Sequence, residues 1–178
     1  IYGQKSGLNN TSGKVRWRFY IDPNTMTMAN GDDFYINLLY STAAATFGAA
    51  HLRYTTAGGY QIRGRIIDDA ATGTETANYG ITDAPHYVEI YIQRATNSTS
   101  SDGSLQLWID GISKETITGK DNYDRFSSFD KIQFGAVFGV DAGTSGTYYL
   151  DELIINDDGS EIGAVAAAGN PWYVWAQM

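Results

Sequence analysis

Tyr, Trp, Arg, His, Asn and Gln recur at alternate positions through the middle of the chain. Side chains of these types, brought onto one surface, could grip a polyhydroxylated ring. Tyr35, Asn37, His51, Arg53, Gln61, Arg63, Arg65, Tyr91, Gln106 and Trp108 fall on the parity that a period of two leaves outside the core. Solvent-facing strand positions usually carry Thr, Lys or Glu. Flat aromatics stack on the C–H faces of sugar rings, while planar amides and guanidinium groups bond hydroxyls and carboxylates. Trp108, Tyr91 and Tyr35 are therefore expected to stack on rings. Arg53, Arg63, Arg65 and His51 are expected to meet acidic groups, and Asn37, Gln61 and Gln106 to take hydroxyls. All ten are expected on one outer sheet face. The bland alternative is that the basic residues simply decorate solvated strands.

Other chemistries find little support. The chain has no Cys, which removes disulfides, thiolate nucleophiles and Cys-ligated zinc. Its two histidines, His51 and His86, are far apart in sequence, and His86, following Asp83-Ala84-Pro85, reads as ordering a turn. No Gly-rich phosphate loop and no Ser in a nucleophile-elbow context occur. The net charge of −8 argues against a nucleic-acid partner, because phosphate affinity comes from Lys and Arg. Charge is unevenly spread: residues 1–65 hold seven bases and three acids, a net of +4, and residues 66–178 hold five bases and seventeen acids, a net of −12. A basic patch on an acidic protein suits an anionic glycan.

The elements that must position these side chains are strands. Lys14–Ile21 alternates cleanly, and the same pattern recurs in Phe34–Tyr40, Ala49–Thr55, Tyr60–Ile66, Tyr87–Arg94, Leu105–Asp110, Ile132–Val137 and Tyr148–Ile155. Turn signals separate the runs, and Asp110-Gly111 between two runs predicts a tight hairpin. Only Asn122–Ile132 suggests a short turn of helix. Eight or more such strands make an all-β, two-sheet antiparallel sandwich of jelly-roll type. The inward set includes Val15, Trp17, Phe19, Ile21, Phe34, Ile36, Leu38, Leu52, Tyr54, Ile62, Ile66, Val88, Ile90, Ile92, Leu105, Leu107, Ile109, Ile132 and Phe134. With 178 residues, 43% of them hydrophobic, the expectation is one domain over 1–178. No apolar run approaches the roughly 18 residues of a membrane helix, so membrane insertion is not expected. The start at Ile1, with no basic-then-apolar leader, suggests a processed chain or part of a longer polypeptide.

Three segments carry a family resemblance. His86-Tyr87-Val88-Glu89-Ile90-Tyr91-Ile92-Gln93, a polar loop and Gly103-Ser104-Leu105-Gln106-Leu107-Trp108-Ile109-Asp110-Gly111 form the first. The others are Ile132-Gln133-Phe134-Gly135-Ala136 and Gly146-Thr147-Tyr148-Tyr149-Leu150-Asp151-Glu152-Leu153-Ile154-Ile155. Together they resemble the concanavalin A-like lectin/glucanase superfamily, particularly its laminin G-like and polysaccharide-lyase-like jelly rolls, over residues 14–160. The resemblance implies a glycan partner and a structural Ca²⁺, for which Asp151 and Asp141, with Asp157 and Asp158, are candidate ligands. The carboxylate-rich strand of the glucanases is absent. A lyase reading would use His51 as base, Tyr91 as acid and Arg53 or Arg63 to neutralise a uronate carboxylate, but Gln61-Ile62-Arg63 stands where such lyases carry Gln-hydrophobic-His. The expected role is thus a noncatalytic carbohydrate-binding domain, extracellular or surface-displayed. The competing reading is a structural or adhesion subunit of a homo-oligomer or larger assembly, with Pro171–Trp175 as a closing strand or subunit contact.

Overall fold

Alternation becomes a strand wherever one of its faces can be buried, and the run beginning at Lys14 shows this most simply. Val15, Trp17, Phe19 and Ile21 are each no more than 2% exposed, and together they form the centre of the core. A computed structural model describes residues 2–164 and the backbone of 174–177. The expected closing segment Pro171–Trp175 lies largely outside the described residues.

The strands are β1 (Tyr2–Lys5), β2 (Lys14–Asp22), β3 (Asp33–Tyr40), β4 (Thr46–Thr55), β5 (Gly59–Ile67), β6 (Gly73–Glu75), β7 (Tyr79–Gly80), β8 (His86–Gln93), β9 (Gly103–Ile109), β10 (Ile112–Lys120), β11 (Lys131–Phe138), β12 (Thr147–Asn156) and β13 (Val174–Gln177). They form two antiparallel sheets. The seven-stranded sheet runs β1-β11-β3-β4-β5-β6, with β7 also paired to β5; the six-stranded sheet runs β10-β9-β8-β2-β12-β13. The inner faces meet in one apolar layer, the arrangement expected of a sandwich. Phe34 on one sheet meets Tyr148 on the other edge to face, with ring centroids 5.5 Å apart.

Several local expectations hold. Asp110 and Gly111 both take positive φ (53° and 75°) in the β9–β10 hairpin, as a tight primed turn requires. The helical tendency near Asn122 is confined to a turn, closed by the Phe126 N–H donating to Asn122 O at 2.9 Å. Phe126 stacks on Phe47 with centroids 4.1 Å apart, plugging one end of the core.

Bulges overturn other expectations. β3 shifts register between Tyr35 and Asn37, and β11 between Phe134 and Phe138. A bulge inserts one residue and inverts the facing of everything beyond it. Past the β3 bulge Asn37 and Leu39 turn inward, both 0% exposed, while Leu38, expected in the core, moves to the outer parity.

Candidate functional site

The outer face of the seven-stranded sheet gathers a connected set of ionic and aromatic side chains. Cross-strand pairing places Asp33 opposite Arg53, Tyr35 opposite His51, His51 opposite Arg63, Arg53 opposite Gln61, and Arg65 opposite Glu75. Paired residues point to the same side of a sheet, so all eight share the outer face. Arg63 Nη2 lies 2.5 Å from Asp33 Oδ2, and its Nη1 lies 3.1 Å from Glu75 Oε2. Arg65 Nη1 donates to Tyr35 Oη at 2.6 Å and lies 3.3 Å from Glu75 Oε1. Arg53 is the least engaged guanidinium of the cluster, with Asp33 at 3.6 Å its one ion-pair partner among the described residues and a side chain 28% exposed.

Gly73 makes room for this arrangement. A Cβ there would stand 2.3 Å from Arg65 Nε, so any larger residue would make the guanidinium shift from its place against β6. Three guanidinium groups face the carboxylates of Asp33 and Glu75, and a third carboxylate, that of Asp141, reaches the Asp33 N–H at 3.3 Å. The Nε groups of Arg53, Arg63 and Arg65 have no hydrogen-bond partner among the described residues.

His51 is the anchor of the cluster and not a contact surface. It is 1% exposed and its ring lies 3.9 Å from that of Tyr35, centroid to centroid. Burial, then the neighbouring Arg63 and Arg65, pushes its pKa down to about 3, so the imidazole is neutral at physiological pH. A guanidinium can only donate, so Nδ1, 3.4 Å from Arg63 Nη2, is the acceptor and Nε2 carries the proton. The expectation that His51 meets an acidic ligand is thereby corrected: it is covered and uncharged, and it orders Tyr35 and Arg63.

Further expectations are also corrected. Asn37 is fully buried, accepting from Trp17 Nε1 at 3.1 Å and donating to its own neighbour Ile36 O at 2.8 Å. It ties the two sheets together and, with Phe19, Asp151 and Glu152, lines a cavity of about 380 Å³. Tyr91, Gln106 and Trp108 lie on the six-stranded sheet, with Tyr91 opposite Gln106 and Trp108 opposite Glu89. They face the opposite side of the sandwich from Tyr35 and Arg63. Parity tells inside from outside but not one sheet from the other, and the chain changes sheets between β5 and β8. The residues of the lyase reading are divided for the same reason, since His51 and Tyr91 stand on opposite outer faces.

On that second face the promising residues are already occupied. The Arg16 guanidinium lies 4.3 Å from the Trp108 ring centroid and 5.4 Å from that of Tyr91, and it pairs with Glu89 at 2.8 Å. Glu89 also accepts the N–H groups of Ile162 and Gly163, at 3.1 and 2.9 Å. The chain beyond β12 thus docks on this sheet, close enough that a Cβ on Gly159 would be 3.0 Å from the Tyr91 ring. Gln106 Nε2 donates to Ser113 Oγ. A cavity of about 40 Å³ among Arg16, Tyr87, Glu89, Trp108, Gly111 and Glu161 is too small for a sugar.

His86 acts as expected of a turn residue. Its Nδ1 meets Asp110 Oδ2 at 2.6 Å, and its Nε2 meets the Thr82 N–H and Oγ1 at 3.1 and 2.7 Å. The calcium candidates do not converge. Asp141 Oδ2 accepts the Asp33 N–H at 3.3 Å, Asp151 Oδ1 accepts the Glu152 N–H at 2.7 Å, and Asp158 Oδ1 accepts from Ser160. Among the described residues no three His, Cys, Asp or Glu side chains gather at one point.

Asp33, Glu75 and Phe138 were not among the residues singled out from sequence. Phe138 is 69% exposed beside Tyr35, with centroids 6.0 Å apart. Gly135, at φ 113° within the irregular part of β11, was the available sign that parity changes before Phe138.

No protein-family model and no curated protein matches this sequence. Solved structures do. The alginate lyase Aly36B is 15% identical with a TM-score of 0.58, the match covering 90% of this chain and 75% of that one. A heptameric SAP-like pentraxin from Limulus polyphemus is 10% identical with a TM-score of 0.60, covering 99% and 86%. A tetrameric galectin from the sponge Cinachyrella sp. is 15% identical with a TM-score of 0.52, covering 87% and 99%. These define the class: the fold is a concanavalin A-like jelly-roll β-sandwich, here with a polar and aromatic outer face on its seven-stranded sheet.

Proposed function

We propose that the protein is a noncatalytic carbohydrate-binding domain that takes an acidic polysaccharide on the outer face of β3, β4 and β5, outside the cell or on its surface. The observation that supports this most is the cluster in which Arg53, Arg63 and Arg65 face Asp33 and Glu75, next to the exposed ring of Phe138. Phe138 and Tyr35 offer C–H stacking faces, and Arg53, the least engaged guanidinium of the cluster, offers a fork for a carboxylate. Gln61, opposite Arg53, is placed to bond a hydroxyl. Arg63 and Arg65 are held mainly by protein partners and set the field. An alginate lyase of the same fold is consistent with a carbohydrate ligand.

The noncatalytic reading rests on the burial of His51 and on its separation from Tyr91. Calorimetric titration with a soluble polyuronate and with a neutral glucan tests the proposal. The polyuronate binds, the neutral glucan does not, and Arg53→Ala weakens binding about tenfold, equivalent to about 1.4 kcal/mol. Wild type that ignores the polyuronate, or Arg53→Ala that binds it unchanged, would overturn the assignment. Unsaturated uronate accumulating in the ultraviolet would instead establish a lyase.

A further inference from the structure

The outer face of the seven-stranded sheet continues past the Arg-rich cluster toward the far end of β3, where a second group of sugar-competent side chains collects. Beyond its bulge β3 turns Leu38 and Tyr40 outward. Tyr40 Oη donates to Gln133 Oε1 at 2.9 Å, and Gln133 Nε2 donates to Gln4 Oε1 at 3.1 Å. This relay ends at Gln4 Nε2, which donates to nothing among the described residues. Lys131 Nζ lies 3.9 Å from the Tyr40 ring centroid and has no carboxylate partner among the described residues. Tyr2, on the same parity of β1 as Gln4, is 50% exposed.

Resting on the reading of the first cluster given above, we infer that Tyr2, Gln4, Tyr40, Lys131 and Gln133 form a second subsite for the same acidic glycan. The ligand is then an internal stretch of polymer lying along β3, not a single terminal sugar. Tyr2 supplies a ring face, and the Gln4 amide supplies a donor already oriented by the Tyr40–Gln133 relay. Lys131 supplies an unpaired positive charge for a carboxylate. From Tyr35 to Tyr40 the strand advances about 13 Å, at about 3.3 Å per residue with one residue absorbed in the bulge. Leu38 lies between the clusters and leaves the intervening floor without a competing charge. Only an oligosaccharide of several units reaches both clusters, and occupying both from one chain raises affinity by making the second contact intramolecular.

The test is titration with oligouronates from disaccharide to decasaccharide, using wild type, Lys131→Ala, Tyr2→Ala and Arg53→Ala. Wild-type affinity climbs with chain length. Lys131→Ala and Tyr2→Ala each lose about fivefold or more on the longest chain and bind the disaccharide within about twofold of wild type. Arg53→Ala weakens every length. Binding that depends on Arg53 but not on length, or that is unchanged in Lys131→Ala and Tyr2→Ala, removes the second subsite and leaves the first. Absence of binding at every length removes both. Lys131 and Tyr2 lie outside the core, so a melting temperature unchanged from wild type confirms that loss of affinity is not loss of fold.

Discussion

The two outer faces of this sandwich are built from the same kinds of side chain and have opposite fates. On the six-stranded sheet Arg16 and Glu89 are 7% and 3% exposed, with Trp108, Tyr91 and the backbone of residues 162–163 closing over them. On the seven-stranded sheet the Arg53 and Arg65 side chains remain 28% and 27% exposed, and Phe138 stands almost free. Arg, Trp and Tyr on an outer parity therefore do not by themselves make a binding surface. What matters is whether the protein has already used their donors and ring faces. The closed face is a stabilising device, and the open face keeps two partly exposed guanidinium groups beside an exposed ring.

Breaking the closed face should give the largest effect. Glu89→Ala strands Arg16 in a desolvated site and frees the segment after β12, and it should destabilise the fold by about 3–5 kcal/mol in urea melts. Ligand affinity of the protein that remains folded should be unchanged. Trp108→Ala should likewise lower the melting temperature without altering affinity.

Next comes the acid dependence set by the open face. His51 has a folded-state pKa of about 3 against the ordinary 6.5, so below about pH 6.5 the unfolded chain takes up a proton that the folded chain refuses. Stability contributed by the neutral ring is complete above pH 6.5. It falls as pH drops toward 3, by up to about 1.4 kcal/mol per pH unit. His51→Gln should flatten that part of the stability–pH curve, and an unchanged slope would contradict the neutral buried imidazole.

On the same face, Gln61→Ala should weaken polyuronate binding by no more than about threefold, since it loses one neutral hydrogen bond. The smallest effect belongs to neither face. Burial and the carboxylates of Asp69, Asp124 and Asp68 hold the Asp121 pKa above its usual range, an arrangement that favours the protonated form. Its stabilising contribution is present at low pH and lost as pH rises. Asp121→Asn should therefore raise the melting temperature slightly at pH 7, with the gain disappearing in acid.

The strands were legible because their chemistry is local. The alternation of Lys14–Ile21 became β2, Tyr87–Arg94 became most of β8, and Asp110-Gly111 made its turn. Facing was legible only as far as each strand stayed regular: a single added residue in β3 sent Asn37 into the core and Leu38 out, and a wider break in the register of β11 delivered Phe138 beside Tyr35. Sheet membership is a property of long-range pairing, which the period of two does not encode, so Trp108 and Tyr91 were grouped with partners on the far side of the molecule. Asp33 and Glu75 escaped notice because a carboxylate on a strand edge gains its meaning only from the guanidinium groups opposite.

Hydrogen–deuterium exchange with and without a saturating oligouronate tests the distinction between the two faces most directly. The account predicts slowed exchange in β3, β4, β5 and β11, with β8, β9 and residues 157–164 unchanged. Protection concentrated in β8 and β9 would contradict it.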